Sequence, residues 1–333
     1  MEVLYEKCAG LDVHKDEIVA CIRLGWGRDV RRELRRFGAT TSLLLELSQW
    51  LTEQGCTHVV MEATGVYWRP VWHVLDGNFE LVLANARDVR NLPGRKSDMN
   101  DATWLADLLA HGLVRSSFVP PAPIQELRDL TRTRKQITRE VVQHTLRIQK
   151  VLEDMNVKLS SVISNTIGVT GRRIIKSIIG GTDDPNTLAG LADRRIKADR
   201  QDLVEALRGK TTDHHRFMLA LHLTQIDALQ AAIAGLDARI ESQVRPFQSA
   251  VERLQTIPGI SSTAAHVILA EIGTEMKQFP SAAHLVSWAG LCPRMDESAG
   301  KRRSTRSRDG NPWLKTLLVQ TAWCAMRKKD SYL

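Results

Sequence analysis

Three strand signals in succession, then strand–helix alternation, constrain the first 112 residues more than any other feature of the chain. "CAGLDVH" (Cys8–His14) is an apolar run of the buried-strand kind, "EIVACIRLG" (Glu17–Gly25) is a second, and "RELRRFG" (Arg32–Gly38) a weaker third. "TTSLLLELSQWLTEQG" (Thr40–Gly55) then predicts a helix with a threonine cap and a glycine stop. "THVVMEA" (Thr57–Ala63) reads as a strand, "GVYWRPVWHVLDG" (Gly65–Gly77) as a helix and "ELVLANA" (Glu80–Ala86) as a fifth strand, before a helix that opens where Asp98 and Asp101 stand, capped by Ser97 or Asp98. Strands joined by short links pair antiparallel, whereas strand–helix–strand units return parallel. The order β-β-β-α-β-α-β-α therefore demands a mixed sheet of the α/β class. It fits a ribonuclease-H-like sheet better than an all-parallel Rossmann sheet, and no GxGxxG is present to argue for the latter.

The remainder reads as helical. "SSFVPPAPIQELRDL" (Ser116–Leu130) holds three prolines and leads into a long helix. Leu127, Leu130, Ile137, Val141, Ile148 and Val151 fall near heptad spacing, with Arg128, Arg132, Arg134, Lys135, Arg139, Arg147 and Lys150 between them as a basic outer face. Residues 155–210 are weakly patterned, with a turn at "GGTDDPN" (Gly180–Asn186). Ile226, Leu229, Ile233, Leu236 and Ile240 alternate steps of three and four, a coiled-coil seam that either packs within the chain or joins two chains. "LQTIPGISSTAAHVILAEIG" (Leu254–Gly273) places Pro258 and Gly259 in a turn between two apolar helices, in the manner of a helix-hairpin-helix that offers backbone N–H groups to a phosphate backbone. A Gly-, Ser- and Arg-rich loop follows, ending at a helix that starts near Asn311–Pro312. Three regions result: 1–115, 116–250 and 251–333.

A net charge of +8 favours a polyanionic partner, with nucleic acid first. The five cysteines are odd in number, widely spaced and without a CxxC, which excludes a disulfide framework and a cysteine zinc site. No signal peptide is legible and no uninterrupted apolar run approaches the roughly 20 residues of a membrane span, so the cytoplasm is the expected compartment.

The chemistry rests on carboxylates. In "GRKSDMNDATWLADLLA" (Gly94–Ala110), Asp98 and Asp101 lie three residues apart where a turn becomes a helix. Ser97 or Asp98 suits an N-cap, and acids in a first turn suit the helix dipole. Residues at i and i+3 also share one helix face, so both carboxylates can address one cation. Asp12 in the first strand, near Lys15, and Glu62 at the end of the fourth make a set of four. Four such acids together favour a hard-cation site over simple capping, since burying them uncompensated is costly. His14 and Lys15 read as supporting loop residues.

At this point the sequence resembles the DEDD transposases of bacterial insertion sequences, of the IS110 type. The likeness rests on "GLDVHKDEIVACI", "MEATGVYWRPV", "GRKSDMNDATWLADLL", "IPGISSTAAHVILAEIG" and "FPSAAHLVSWAGLCPRMDESAGKRRS", in that order over nearly the whole chain. It implies a RuvC-like, ribonuclease-H-type N-terminal domain whose tetrad, Asp12, Glu62, Asp98 and Asp101, binds Mg²⁺. It implies a helical coiled-coil middle region and a mainly α C-terminal transposase domain. It also implies that Ser298, in "GLCPRMDESAG", is a nucleophile; the residues alone would leave Ser304 and Ser307 equal candidates. Arg294, Lys301, Arg302, Arg303, Arg306 and Arg308 crowd the same loop and suit a scissile phosphate backbone.

The resemblance further implies donor and target DNA as substrates and a noncoding bridge RNA that selects them by base pairing. It implies a dimer or tetramer whose composite site crosses subunits, with Ile226–Ile240 as the expected oligomerising element. Family members usually continue beyond "RKKDSYL" (Arg327–Leu333), so a truncated copy is expected to suffer first around Ser298. Two rivals predict different chemistry: a RuvC-like structure-selective nuclease using the tetrad alone, and an inactive nucleic-acid-binding remnant. A sugar-kinase-type ATPase is disfavoured by the want of a Gly-rich phosphate loop.

Overall fold

A computed structural model describes residues 2–27, 29–86, 89, 100–293, 296–307 and 310–328. The chain forms two compact units, Met1–Val119 and Pro120–Leu333.

In the first unit β1 (Lys7–Val13), β2 (Glu17–Leu24) and β3 (Arg31–Gly38) run as an antiparallel meander. Helices α1 (Thr41–Glu53) and α2 (Trp68–Leu75) then return the chain for β4 (His58–Glu62) and β5 (Glu80–Ala84), which pair parallel. The five-stranded sheet has the order β3-β2-β1-β4-β5, the mixed sheet that the strand sequence demands. Charged β3 closes one edge, where Arg side chains discourage further pairing, and Arg35 lies over the Trp50 ring at 4.9 Å.

Strand side chains alternate between faces, and each face has its own cover. Ala9, Leu11 and Val13 of β1 and Val59 and Met61 of β4 bury against Leu44, Leu47 and Leu51 of α1 and Val71 and Leu75 of α2. The opposite face meets α3 (Asp101–Ala110): Cys8 and Val60 pack with Trp104, Leu105, Leu108 and Leu109. Gly10 allows this contact, because a Cβ there would overlap Ala102 O and Ala106 N of α3. Asp107 completes the attachment, holding buried Arg23 at 3.1 Å and Arg32 at 2.9 Å.

The second unit is built on α4 (Ala122–Asp154). Short helices α5 (Leu159–Val162), α6 (Val169–Ile179), α7 (Pro185–Ala189) and α8 (Arg200–Ala206) follow, and then the long α9 (Asp213–Val244). Cross-links fix α4 and α9 antiparallel: Gln243 donates to Glu126 at 2.8 Å, Arg134 pairs with Asp237, His144 faces His222 at 3.2 Å and His215 meets Asp154 at 3.0 Å. Most of the seam packs inside the chain, one of the two alternatives its spacing allows. Ile226, Leu229 and Ile233 pack with Ile148, Leu152 and Ile174, while Ile240 packs with Ile124 and Leu127. By length and composition Asp213–Gln255 reaches what a bilayer crossing needs, with a hydropathy of 1.3 in its richest stretch, although polar residues interrupt its apolar ones. Of that stretch 22% is buried, and Leu219, Leu223 and Ile226 are among the residues turned to the core shared with α4 and α6.

The chain continues through α10 (Gln248–Gln255), α11 (Ser262–Ile272) and α12 (Ala282–Trp288) to α13 (Pro312–Ala325). Val251, Ala265 and Leu269 join Ile124, Leu127, Ile240 and Val244 in one cluster. Ile268, Ile272, Ala289 and Leu314 form the next. Between α12 and α13 the structure replaces the expected loop with a hairpin, β6 (Asp296–Ser298) and β7 (Lys301–Ser304).

Candidate functional site

The first candidate site is the end of the sheet where β1 and β4 finish. Their register pairs Gly10 with Val60 and Leu11 with Met61, so the next step sets Asp12 beside Glu62. Both follow by two residues a position that faces α3, Gly10 and Val60 respectively, and therefore share that face. Along β1, Cys8 Sγ reaches Ala106 O at 3.5 Å and Gly10 abuts Ala102, so Asp12 continues toward the start of α3, where Asp101 is the first helical residue. The fold thus brings Asp12, Glu62 and Asp101 to one end of one sheet face. Asp98 lies outside the described residues.

Local contacts refine the expectation. The cap of α3 is Asn100, not Ser97 or Asp98: Asn100 Oδ1 accepts from Ala102 N at 2.9 Å. Capping is therefore assigned to a residue outside the acidic pair. His14 Nε2 stands 3.2 Å from Asp12 Oδ2, and Thr64 Oγ1 donates to Glu62 Oε1 at 3.4 Å. Among the described residues no three His, Cys, Asp or Glu side chains converge closely enough to hold a metal ion. The expected ligands Asp12, Glu62 and Asp101 are carboxylates, which in kind suit Mg²⁺ rather than a soft metal, and the His14 ring stands beside the first of them. The buried thiols are no alternative nucleophiles: burial pushes Cys8 up to about 12 and Cys56 up to about 11.

The second candidate site is the β6–β7 hairpin. Ser298 pairs with Lys301 across the two-residue turn Ala299–Gly300, whose φ values of +51° and +73° are both left-handed, as a type I′ hairpin turn requires. The base of the loop is pinched by Gly310, where a Cβ would strike the main chain of Ala289 and Gly290. Lys301 and Arg306 are exposed. Arg294 and Arg308, and the side chains of Ser298, Arg302 and Arg303, lie outside the described residues.

The turn at Pro258–Gly259 has a packing role that the sequence did not reveal. Gly259 has φ +87°, and a Cβ on it would meet Thr321 O and Ala325 N of α13. The glycine is required for that close approach, whatever else the turn does. Sequence reasoning also missed Glu271. It is fully buried on α11, takes two parallel hydrogen bonds from Arg132 at 2.8 Å each, and accepts from Asn311 Nδ2 at 2.5 Å. Asn311 in turn caps α13 through Trp313 N and Leu314 N. One buried carboxylate thus ties α4, α11 and the foot of the serine loop together. Part of the basic face of α4 is accordingly spent internally: Arg128 and Arg132 on the Glu271 segment, Arg134 on Asp237.

Comparison with known proteins matches both ends of the chain. Residues 9–157 fit the profile of DEDD transposases of the IS110 type. Residues 251–333 fit the profile described as "Transposase IS116/IS110/IS902 family". An uncharacterised 43.6 kDa protein of insertion element IS110 from Streptomyces coelicolor is 25% identical over 268 residues, which cover 73% of this chain and 64% of that protein. The chain therefore spans less than two thirds of that relative's length. Two profiles of one family, in order and over the acidic end and the serine hairpin, account for most of the sequence, and the chain belongs to the IS110 family of DEDD transposases.

Proposed function

We propose that the protein is a DNA transposase that cuts and rejoins strands through a phosphoserine link at Ser298, assisted by the acidic end of a ribonuclease-H-like, RuvC-type domain. The observation that carries this reading is the placement of Asp12, Glu62 and Asp101 at one end of one sheet face. The strand order with an antiparallel meander and two parallel returns supports the ribonuclease-H-like assignment. Functionally we divide the chain at 1–115, 116–250 and 251–333, the last being the transposase domain.

In this account Ser298 Oγ attacks a DNA phosphorus. The P–Oγ bond forms as the bond to the leaving oxygen breaks, and the serine proton ends on the released hydroxyl. A hydroxyl of the new strand later reverses the exchange and frees the serine. Asp12, Glu62 and Asp101, with Asp98, would hold Mg²⁺. Bound there, the ion would supply Lewis-acid stabilisation of the phosphate. Arg294, Lys301, Arg302, Arg303, Arg306 and Arg308 would grip the backbone, and Pro258 and Gly259 a second stretch of it. Donor and target DNA are the substrates, a bridge RNA chooses them by pairing, and a homo-oligomer joins acids and serine across subunits. The setting is the bacterial cytoplasm.

Strand joining on matched donor and target DNA, with Mg²⁺ and the RNA flanking the gene, tests the reading. Asp12→Asn and Glu62→Gln are each expected to lose joining on the order of a hundredfold or more, the usual cost of removing a transition-state stabiliser. Cutting that needs both acids but leaves free, hydrolysed ends would instead establish the structure-selective nuclease.

A further inference from the structure

Arg128, Arg132, Lys135 and Arg139 follow at steps of four, three and four and so share one face of α4. The first two are committed to the Glu271 segment: Arg128 donates to the carbonyls of Ala270 and Glu271 at 3.0 and 2.7 Å, and Arg132 to the Glu271 carboxylate. The outer two are not. Among the described residues neither Lys135 nor Arg139 has a carboxylate within ion-pair distance.

What the outer pair meets is an indole. The guanidinium carbons of Arg132 and Arg139 each lie 5.5 Å from the Trp313 ring centroid, and Lys135 Nζ lies 5.7 Å from it. The aromatic quadrupole holds cations but cancels no charge. Three cations therefore stand around one half-exposed ring, and among the described residues the carboxylate beside them, Glu271, is buried and already taken by Arg132 and Asn311. The surplus is felt locally: burial first, then the charge of Arg139, pulls Lys135 below the ordinary lysine range.

Such a surplus, open to solvent through exposed Arg139, is relieved by an external anion. Its position says which. Trp313 lies in the first turn of α13, two residues after Asn311, where the loop carrying Ser298 ends. Lys315, one residue further than Leu314, ties back to that loop through Ser307 Oγ at 2.5 Å. We infer that Lys135, Arg139 and Trp313 form a docking site for the phosphodiester backbone of the DNA strand on which Ser298 acts. This rests on the transposase reading for the identity of the strand, and on the cation–indole cluster for the site itself. The exposure of Arg139, with Lys135 and Trp313 half-exposed, suits a continuous backbone rather than an enclosed free phosphate.

The test is the salt dependence of DNA binding. Full-length wild type and Lys135→Ala/Arg139→Ala are titrated with labelled donor duplex between about 50 and 200 mM salt. Each lost phosphate contact lowers the slope of log K against log salt by about one, so the double variant is expected to lose about two. The conservative Lys135→Arg/Arg139→Lys variant is expected to restore it, and melting curves are expected to coincide. Should the double variant melt early, Arg139→Gln, at an exposed position, is expected to lower the slope by about one. Equal slopes for wild type and variants overturn the inference. So does a change seen only with single-stranded RNA, or only with inorganic phosphate as competitor. A lowered slope with no strand joining by wild type would sink the transposase reading while leaving the docking site intact.

Discussion

A single absent methyl group at Gly10 decides how closely α3 lies on the sheet, and hence where Asp101 stands relative to Asp12. Gly10→Ala forces a Cβ against the backbone of Ala102 and Ala106, which no rotamer change relieves. Overpacking of this kind costs about 1–3 kcal/mol or more. The variant is expected to unfold at lower urea than wild type and to lose strand joining under conditions where it is still folded. A wild-type midpoint would contradict the close packing described. At this scale Asp12 and Glu62 drew notice in the sequence, because an Asp or Glu within or closing an apolar run stands out from its surroundings. Gly10, Asp107 and Glu271 were not. Asp107 finds Arg23 from 84 residues away and Glu271 finds Arg132 from 139, and nothing local marks either one.

The α4–α9 pair carries the second unit, and His222 near its middle makes it sensitive to acid. Burial, then the neighbouring charges of His144 and Arg147, hold His222 below the ordinary histidine value of 6.5. The unfolded chain therefore binds this proton more readily than the fold does. The stability involved is present above pH 6.5 and is lost as pH falls from there through the depressed value. Melting of wild type is expected to drop between about pH 7.5 and 5.5, and His222→Gln to drop less over the same range. Stability that rose on acidification would contradict this environment for His222. The two long helices were legible from their heptad-like spacing. Helices α6 to α8 were hardly so, since their apolar residues serve a core completed by distant α4 and α9. The β6–β7 hairpin was missed because strands of three and four largely polar residues show no alternation.

On the scale of the molecule, the acids belong to one compact unit and the serine hairpin to the other. That division was visible in the order of motifs, which sets the acids before the long helices and the serine after them. The sequence pointed to the seam of α9 as the means of assembly. The fold packs Ile226, Leu229, Ile233 and Ile240 within the chain, one of the two partners such a seam allows. The signal was ambiguous by nature, since an apolar seam has the same spacing whether its partner is the same chain or another.

In the proposed reaction Ser298 becomes covalently joined to DNA only when the acidic end of the sheet is intact. The direct measurement is to mix the protein with Mg²⁺, the flanking RNA and matched DNA, denature, isolate protein–DNA adducts and map the modified peptide. Wild type is expected to carry the nucleotide on Ser298, with no adduct from Ser298→Ala or Asp101→Ala. An adduct on another residue, or one that survives Asp101→Ala at wild-type yield, would contradict the account.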